Sequence, residues 1–297
     1  MERMVNIGLI QMSSSADVEK NFNKTVSCIR EAARRGANIV CTQELFKSRY
    51  FCQVTDSSLF SLAEKIDEHS GTIKTLCELA AGLEIVIIAS LFEKRATGLY
   101  HNTAVVIDAD GSYLGKYRKM HIPDDPLFYE KFYFTPGDLG YKVFRTRYAE
   151  VGVLICWDQW FPEAARLTAM QGAEIIFYPT AIGFPRFEGV RPGITDDHDA
   201  WEIVQRGHAV ANGCYVATAN RVAFEENSTG SGIDFWGQSF IANPDGEVLK
   251  RASADSEEIL SCPVDLSFVE QVRDGQMFPF RDRRVDSYSG LTKLYLD

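Results

Sequence analysis

Three side chains of different chemistry stand at the ends of apolar runs in this chain. Cys156 closes the run Val151-Gly152-Val153-Leu154-Ile155 and precedes Trp157-Asp158-Gln159-Trp160-Phe161-Pro162-Glu163. A β-run that delivers a cysteine to a turn before a helix puts a thiol where α/β proteins keep reactive groups. The helix N-terminus favours thiolate, the nucleophilic form, and N–H groups beyond the cysteine can bind an oxyanion. Glu44 follows Ile39-Val40-Cys41-Thr42, and Lys119 follows a run ending in Tyr117. A carboxylate near a thiol can act as its general base, and an ammonium can stabilise a developing oxyanion. Plainer readings stand beside these. Cys156 can cap a core strand, and Glu44 and Lys119 can be solvated strand-end charges.

Activation of a thiol by histidine needs an oriented imidazole. The five histidines are His69, His101, His121, His198 and His208. His208 falls in a predicted helix, where a hydrogen-bonding role suffices. His101 and His121 lie near strand ends and stay open as partners. No H-E-x-x-H is present, so zinc hydrolysis has no motif support, and there is no G-x-G-x-x-G or Walker loop.

These groups need a framework. Residues 5–10 read as a first strand and 18–35 as a helix, with Phe22, Val26, Ile29 and Ala33 at helical spacing and Gly36 to close it. Residues 37–42 form a short β-run ending at Gln43-Glu44, 72–81 a second helix, and 84–88 a buried strand. Residues 103–108 and 112–118 pair as a hairpin about Asp110-Gly111. The second half repeats this grammar. A strand over 151–155 precedes a helix from Pro162 to Gln171. A strand follows Gly172-Ala173, as one follows Gly36-Ala37. A helix over 199–212 precedes a strand over 215–219, and a hairpin joins 235–242 to 247–250 about Asp245-Gly246. Two similar halves of this kind predict an α/β chain with two mixed sheets in one domain. Residues 183–195, with Pro185, Gly189, Pro192 and Gly193, read as a long surface loop. The tail after Gly275 carries Arg281, Arg283, Arg284, Phe278, Phe280, Tyr288 and Tyr295, and either wraps its own subunit or crosses to another.

Composition sets the outer bounds. Of 297 residues, 45% are hydrophobic and 24% charged, which is ordinary for a globular protein. With 31 basic and 41 acidic residues the net charge is −10, which argues against nucleic acid as a partner. The seven cysteines are odd in number and contain no C-x-x-C, as expected in a reducing compartment. No apolar run is long enough for a signal peptide or a membrane span, so a soluble cytoplasmic protein without membrane contact is expected.

Read together, three segments carry more than each alone. Gln43-Glu44-Leu45-Phe46, Tyr117-Arg118-Lys119 with His121-Ile122-Pro123, and Ile155-Cys156-Trp157-Asp158 resemble, in this order and spacing, the signature regions of the nitrilase, or carbon–nitrogen hydrolase, superfamily. The resemblance runs from Ile7 to about Asp286. Within the superfamily, Glu130–Asp138, Cys156–Arg166, Tyr178–Gly183, Gly207–Asn212 and Phe280–Arg284 are most similar to N-carbamoylputrescine amidohydrolases. The resemblance implies one domain over 1–297, built as an α-β-β-α sandwich of two mixed sheets. The tail from about 275 to 297 would lie at a subunit interface of a homo-oligomer made from dimers. It also implies a Glu–Lys–Cys triad: Cys156 attacks a carbamoyl carbon, Glu44 moves protons, and Lys119 with the Trp157 N–H holds the oxyanion. Glu130 matches the family's second glutamate, which orients Lys119 and the substrate. No metal or organic cofactor is implied.

The implied reaction is cleavage of the carbamoyl C–N bond of N-carbamoylputrescine to putrescine, ammonia and CO2 through a covalent Cys156 intermediate, in polyamine biosynthesis. A cationic carbamoyl amine needs apolar walls and a distal acid. Candidate walls are Tyr50, Phe51, Phe134 and Trp157. Candidate acids are Asp125, Asp158 and Glu188, while Asp196, Asp197 and Asp199 read more simply as a solvated turn and helix cap. After Gly183 the chain departs from the plant enzymes, with Phe184-Pro185-Arg186-Phe187-Glu188 in place of a Ser-Glu-Pro stretch, and Arg186 can oppose a cation. Two alternatives stand. A sibling amidase would act on a ureido acid such as 3-ureidopropionate, anchored by Arg49 or Arg186, or on an ω-amide. A catalytically silent binding or assembly protein would share the fold, but the intact Glu44, Lys119 and Cys156 argue against it.

Overall fold

A computed structural model describes residues 2–187, 197–275 and 279–296. The first sheet is built from β1 (Met4–Gln11), β2 (Ile39–Cys41), β3 (Val86–Ala96), β4 (Leu99–Ile107) and β5 (Tyr113–Arg118). The second half supplies β6 (Val143–Arg145), β7 (Glu150–Val153), β8 (Ile175–Pro179), β9 (Gly183–Arg186), β10 (Tyr215–Ala219), β11 (Val222–Glu226), β12 (Gly232–Trp236), β13 (Phe240–Ala242), β14 (Val248–Arg251) and β15 (Glu258–Asp265). The helices are α1 (Val18–Arg34), α2 (Gly71–Leu83), α3 (Glu130–Tyr133), α4 (Pro162–Met170), α5 (Asp197–Asn212) and α6 (Ser267–Gly275).

Two six-stranded sheets have the orders β15-β1-β2-β3-β4-β5 and β14-β13-β10-β8-β7-β6. Read from β15 and from β6, both follow one pattern: an antiparallel pair, two parallel pairs, then two antiparallel pairs. The repeat legible in the sequence is therefore a repeat of topology, strand for strand.

Alternation along the strands sorts side chains between layers. Ile39 and Cys41 of β2, and Val86 and Ile88 of β3, join Val151, Val153 and Phe177 of the second sheet in one core. Val40, Ile87 and Ala89 face the other way, onto Ile29 and Ala32 of α1 and Ile73, Leu76 and Ala80 of α2. Beyond the second sheet, Ala164, Ala165 and Ala169 of α4 and Ala209 of α5 extend the first core. The layers run α-β-β-α. Among the described residues no helix is long and apolar enough to cross a membrane.

Element ends follow local chemistry. Asp17 caps α1 by accepting the Lys20 N–H, and Ser70 caps α2 by accepting the Ile73 N–H. Two expectations are corrected. Residues 235–242 are not one strand, because Gly237 and Gln238 both take left-handed backbone and turn the chain from β12 into β13. The start of the expected 183–195 loop is β9, an edge strand on β12, where Pro185 is tolerated. A Cβ at Gly183 would lie 2.3 Å from the Asp234 carbonyl oxygen, so this pairing needs glycine. Residues 188–196, including Glu188 and Asp196, lie outside the described residues.

Candidate active site

Three strand ends converge on one buried cluster. Beyond β2 the chain leaves the sheet through Thr42, whose N–H donates to Ile88 O at 3.0 Å, and reaches Glu44. Beyond β5 comes Lys119, whose N–H donates to Asn102 O at 2.9 Å. Glu130 opens α3. All three are fully buried. Lys119 Nζ donates to Glu44 Oε1 at 2.8 Å and to Glu130 Oε2 at 2.7 Å. Asn102 Nδ2 also donates to Glu44 Oε1, at 2.6 Å, and Tyr50 OH donates to Glu130 Oε1 at 2.6 Å. Three of the four carboxylate oxygens are thereby held. The fourth, Glu44 Oε2, is buried without a hydrogen-bond partner among the described residues.

Cys156 follows β7 with φ of 42°, a left-handed conformation uncommon for a side-chain-bearing residue. Asp158 holds this turn. Its carboxylate accepts the Ile155 N–H at 2.9 Å, the Tyr117 hydroxyl at 2.7 Å, and the His121 N–H at 3.0 Å. His121 Nδ1 lies 2.7 Å from the same group, and its ring stacks on Phe161 at 3.7 Å. Cys156 is 5% exposed, its Sγ lies 3.8 Å from Ala181 O, and the residue lines a cavity of about 480 Å³.

Electrostatics follow from burial. Burial and the Glu44 carboxylate push the Cys156 thiol well above its usual range, while Lys119 opposes them. The free site therefore holds a neutral thiol that needs a base. Burial would depress the Lys119 ammonium, but Glu130 and Glu44 outweigh it and keep the group charged. Burial pushes Glu130 up to about 7 against the pull of Lys119. A neutral thiol, a carboxylate with one free oxygen and a fixed ammonium can together carry out acyl transfer at a carbonyl.

The structure gathers Glu44, Lys119, Glu130 and Cys156 as the sequence reading placed them, and Trp157 and Asp125 line the cavity. Other assignments are corrected. Asp158 is fully buried and spends its oxygens on the Cys156 turn, so it does not face substrate. Tyr50 is no wall: its ring packs on Phe128 and Phe235, and its hydroxyl serves Glu130. Phe134 and Phe51 are buried in an aromatic cluster with Phe92. Arg186 pairs with Asp234 and lies over the Phe224 ring, so it does not oppose a cation in the cavity. His208 is structural, with Nε2 2.8 Å from Gln159 O. Of the open histidines, His101 holds Thr135 O and His121 holds Asp158. Asn102 was missed, although an amide inside the apolar run of β4 is a visible signal. Trp160 and Trp236 were missed as cavity walls. Among the described residues no group of three or more His, Cys, Asp or Glu is arranged to hold a metal ion.

Known proteins share this architecture. An N-carbamoylputrescine amidase of Arabidopsis thaliana is 45% identical over 97% of this chain and 95% of its own. A citrullinase of Francisella tularensis is 42% identical over 98% of this chain and 99% of its own. The crystal structure of a carbon–nitrogen hydrolase from Helicobacter pylori G27 superposes with a TM-score of 0.91 at 46% identity, covering 99% of this chain and 100% of that one. The description of the carbon–nitrogen hydrolase family fits residues 6–274, the span that carries both sheets and all three converging strand ends, and the chain belongs to that family.

Proposed function

We propose that this protein hydrolyses N-carbamoylputrescine to putrescine, CO2 and one ammonia, using Cys156 as nucleophile. The observation that carries the mechanism is the unpartnered Glu44 Oε2, a buried base beside a thiol that burial keeps neutral. Glu44 takes the thiol proton as Cys156 Sγ attacks the carbamoyl carbon. Lys119 Nζ and the Trp157 N–H receive the oxyanion. The tetrahedral adduct collapses as Glu44 returns the proton to departing ammonia. Water, deprotonated by Glu44, then cleaves the thiocarbamate, and the released carbamate loses CO2 to leave the diamine.

The cavity suits a cation on an aliphatic chain. Trp157, Trp160, Trp236, Phe128 and Phe187 form aromatic walls, and aromatic faces attract ammonium groups. Of the carboxylates lining it, Glu130 is engaged by Lys119 and Tyr50, while Asp125 is exposed at the mouth on a tight turn closed by the Phe128 N–H to Asp125 O bond of 2.7 Å. We assign Asp125 as the amine anchor. The test is ammonia release from N-carbamoylputrescine, citrulline and 3-ureidopropionate at equal low concentration. Preference for the carbamoyl diamine is expected, with Asp125→Asn raising KM about tenfold at little cost to kcat. Preference for 3-ureidopropionate refutes the substrate assignment and leaves the Cys156 chemistry in place.

One observation favours a second reading. Among the described residues the indole N–H groups of Trp160 and Trp236 have no acceptor, and both residues line the cavity. A carboxylate beside the distal ammonium, as in citrulline, would supply one. Preferential release from citrulline in the same assay selects this reading.

Glu130 gives a pH prediction. Its ionised form accepts from Tyr50 and balances Lys119, and it is lost as pH falls through about 7. Activity should fall along an acid limb centred there, and Glu130→Gln should be slow at every pH without that limb. An unchanged limb in the variant assigns it elsewhere.

The seven cysteines are free, which suits a reducing compartment, and we place the enzyme in the cytoplasm as a single catalytic domain. Phe280 anchors the tail between Arg166 and Arg273, while Leu291, Leu294 and Leu296 beyond it are exposed. We assign this apolar end to contacts between copies in a homo-oligomer of dimers.

A further inference from the structure

The segment from Glu44 to Tyr50 reaches the site at both ends. Glu44 contributes the free carboxylate oxygen, and Tyr50 places its hydroxyl on Glu130. Between them the chain is neither helix nor strand, and Leu45 has φ of 49°. Most carbonyls of such a segment have no ladder partner and must find donors elsewhere. Asn21 Nδ2 serves Lys47 O and Gln53 Nε2 serves Tyr50 O, and one side chain serves three more. Arg221, between β10 and β11 and fully buried, donates from Nη2 to Glu44 O at 2.9 Å and to Leu45 O at 3.2 Å, and from Nη1 to Ser48 O at 2.9 Å. Nη1 also pairs with Glu225 Oε1 at 2.7 Å, and Glu225 Oε2 accepts the Tyr50 N–H at 2.7 Å. Phe235 lies under both, 5.5 Å from the guanidinium and edge-on to Tyr50 at 5.9 Å.

We infer that Arg221 and Glu225 are positioning residues that set the two carboxylates flanking Lys119 through one buried ion pair. Arg221 fixes the backbone of Glu44, and Glu225 fixes Tyr50 and through it Glu130. The inference rests on Glu44 acting as the base. A guanidinium fork reaches several acceptors at once, which a lysine ammonium does not. The Arg221→Lys variant keeps a charge opposite Glu225 but cannot hold all three carbonyls. A misplacement of the base by about 1 Å costs up to about 10²-fold in rate.

The test measures kcat, KM and the pH profile of Arg221→Lys and Glu225→Gln, with Glu44→Gln alongside and folding checked by circular dichroism. Arg221→Lys is expected to lose about 10²-fold in kcat with KM within about threefold. Glu225→Gln leaves the three carbonyl bonds in place and is expected to lose less kcat while shifting the acid limb, because its effect travels through Tyr50 to Glu130. A merely structural pair would lower the melting temperature and leave the kcat and limb of folded protein unmoved. That result overturns the inference. If Arg221→Lys does not accumulate, the limb of Glu225→Gln decides alone. If Glu44→Gln retains turnover, the reading of the base has failed, which is distinct from an inactive Glu44→Gln beside unaffected Arg221 and Glu225 variants.

Discussion

Replacing Cys156 with alanine should abolish ammonia release, by about 10⁴-fold or more, and leave the fold intact. The loss follows from chemistry that no neighbour can supply. Cys41, Cys52 and Cys214 are buried with raised thiols as Cys156 is, but among the described cysteines Cys156 alone lines the cavity, beside the unpartnered Glu44 Oε2 that can take its proton. The fold should survive because the Cys156 sulfur makes only a long contact to Ala181 O, and its turn is held by Asp158. Mass spectrometry of substrate-treated protein should find an adduct on Cys156 in the unaltered chain and none in the variant. Iodoacetamide should inactivate in step with labelling of Cys156, and not with labelling of the more exposed Cys28 and Cys77. Substantial turnover by the alanine variant would end the mechanism and bring back the non-catalytic reading of the fold.

The second large effect concerns Lys119. Among the described residues its ammonium is the one cation bonded to both Glu44 and Glu130. The Lys119→Met variant should lose turnover by about 10³-fold, since the oxyanion loses its charged donor. Unlike Cys156→Ala, it should also lose stability, by about 3–5 kcal/mol, because two buried carboxylates are left without their counter-ion. The pH dependence has a definite sign. Burial already raises Glu130 against the pull of Lys119, so without Lys119 it holds its proton still more tightly in the folded state than in the unfolded chain, and stability is greatest at low pH and falls as pH rises. The deficit should therefore be larger at pH 8 than at pH 5. Adding Glu130→Gln removes one unpaired charge and should restore part of the melting temperature with no recovery of activity. Equal deficits at both pH values would mean that the pair is not the electrostatic unit described.

Much of this arrangement was legible in the chain. The β-runs ending at Thr42, Tyr117 and Ile155 put Glu44, Lys119 and Cys156 just past strand ends, and Gly-Ala and Asp-Gly punctuation exposed the duplicated topology. Orientation was not legible. Asp158 is two residues from the nucleophile, and nothing in its type says that it turns back onto the Ile155 N–H. Tyr50 and Phe134 are aromatic, as a wall would be, but burial against Phe235 and Phe92 takes them away from the cavity. Arg221 follows an apolar run as an unremarkable strand-end charge. Its three carbonyl acceptors lie more than 170 positions away in the chain, so only the folded backbone brings them to it.

The edge pairing of β1 with β15 has a kinetic consequence. Met4 pairs with Asp265, and the Arg3 N–H donates to the Asp265 carboxylate across 262 positions of sequence. During synthesis the first sheet therefore stays open along β1 until β15 has emerged. Closing so long a loop delays the last pairing and leaves an unprotected strand edge in the nascent chain. Truncation before β15 should not yield a smaller working enzyme but an aggregation-prone intermediate, and refolding should show a slow final phase in which β15 docks on β1.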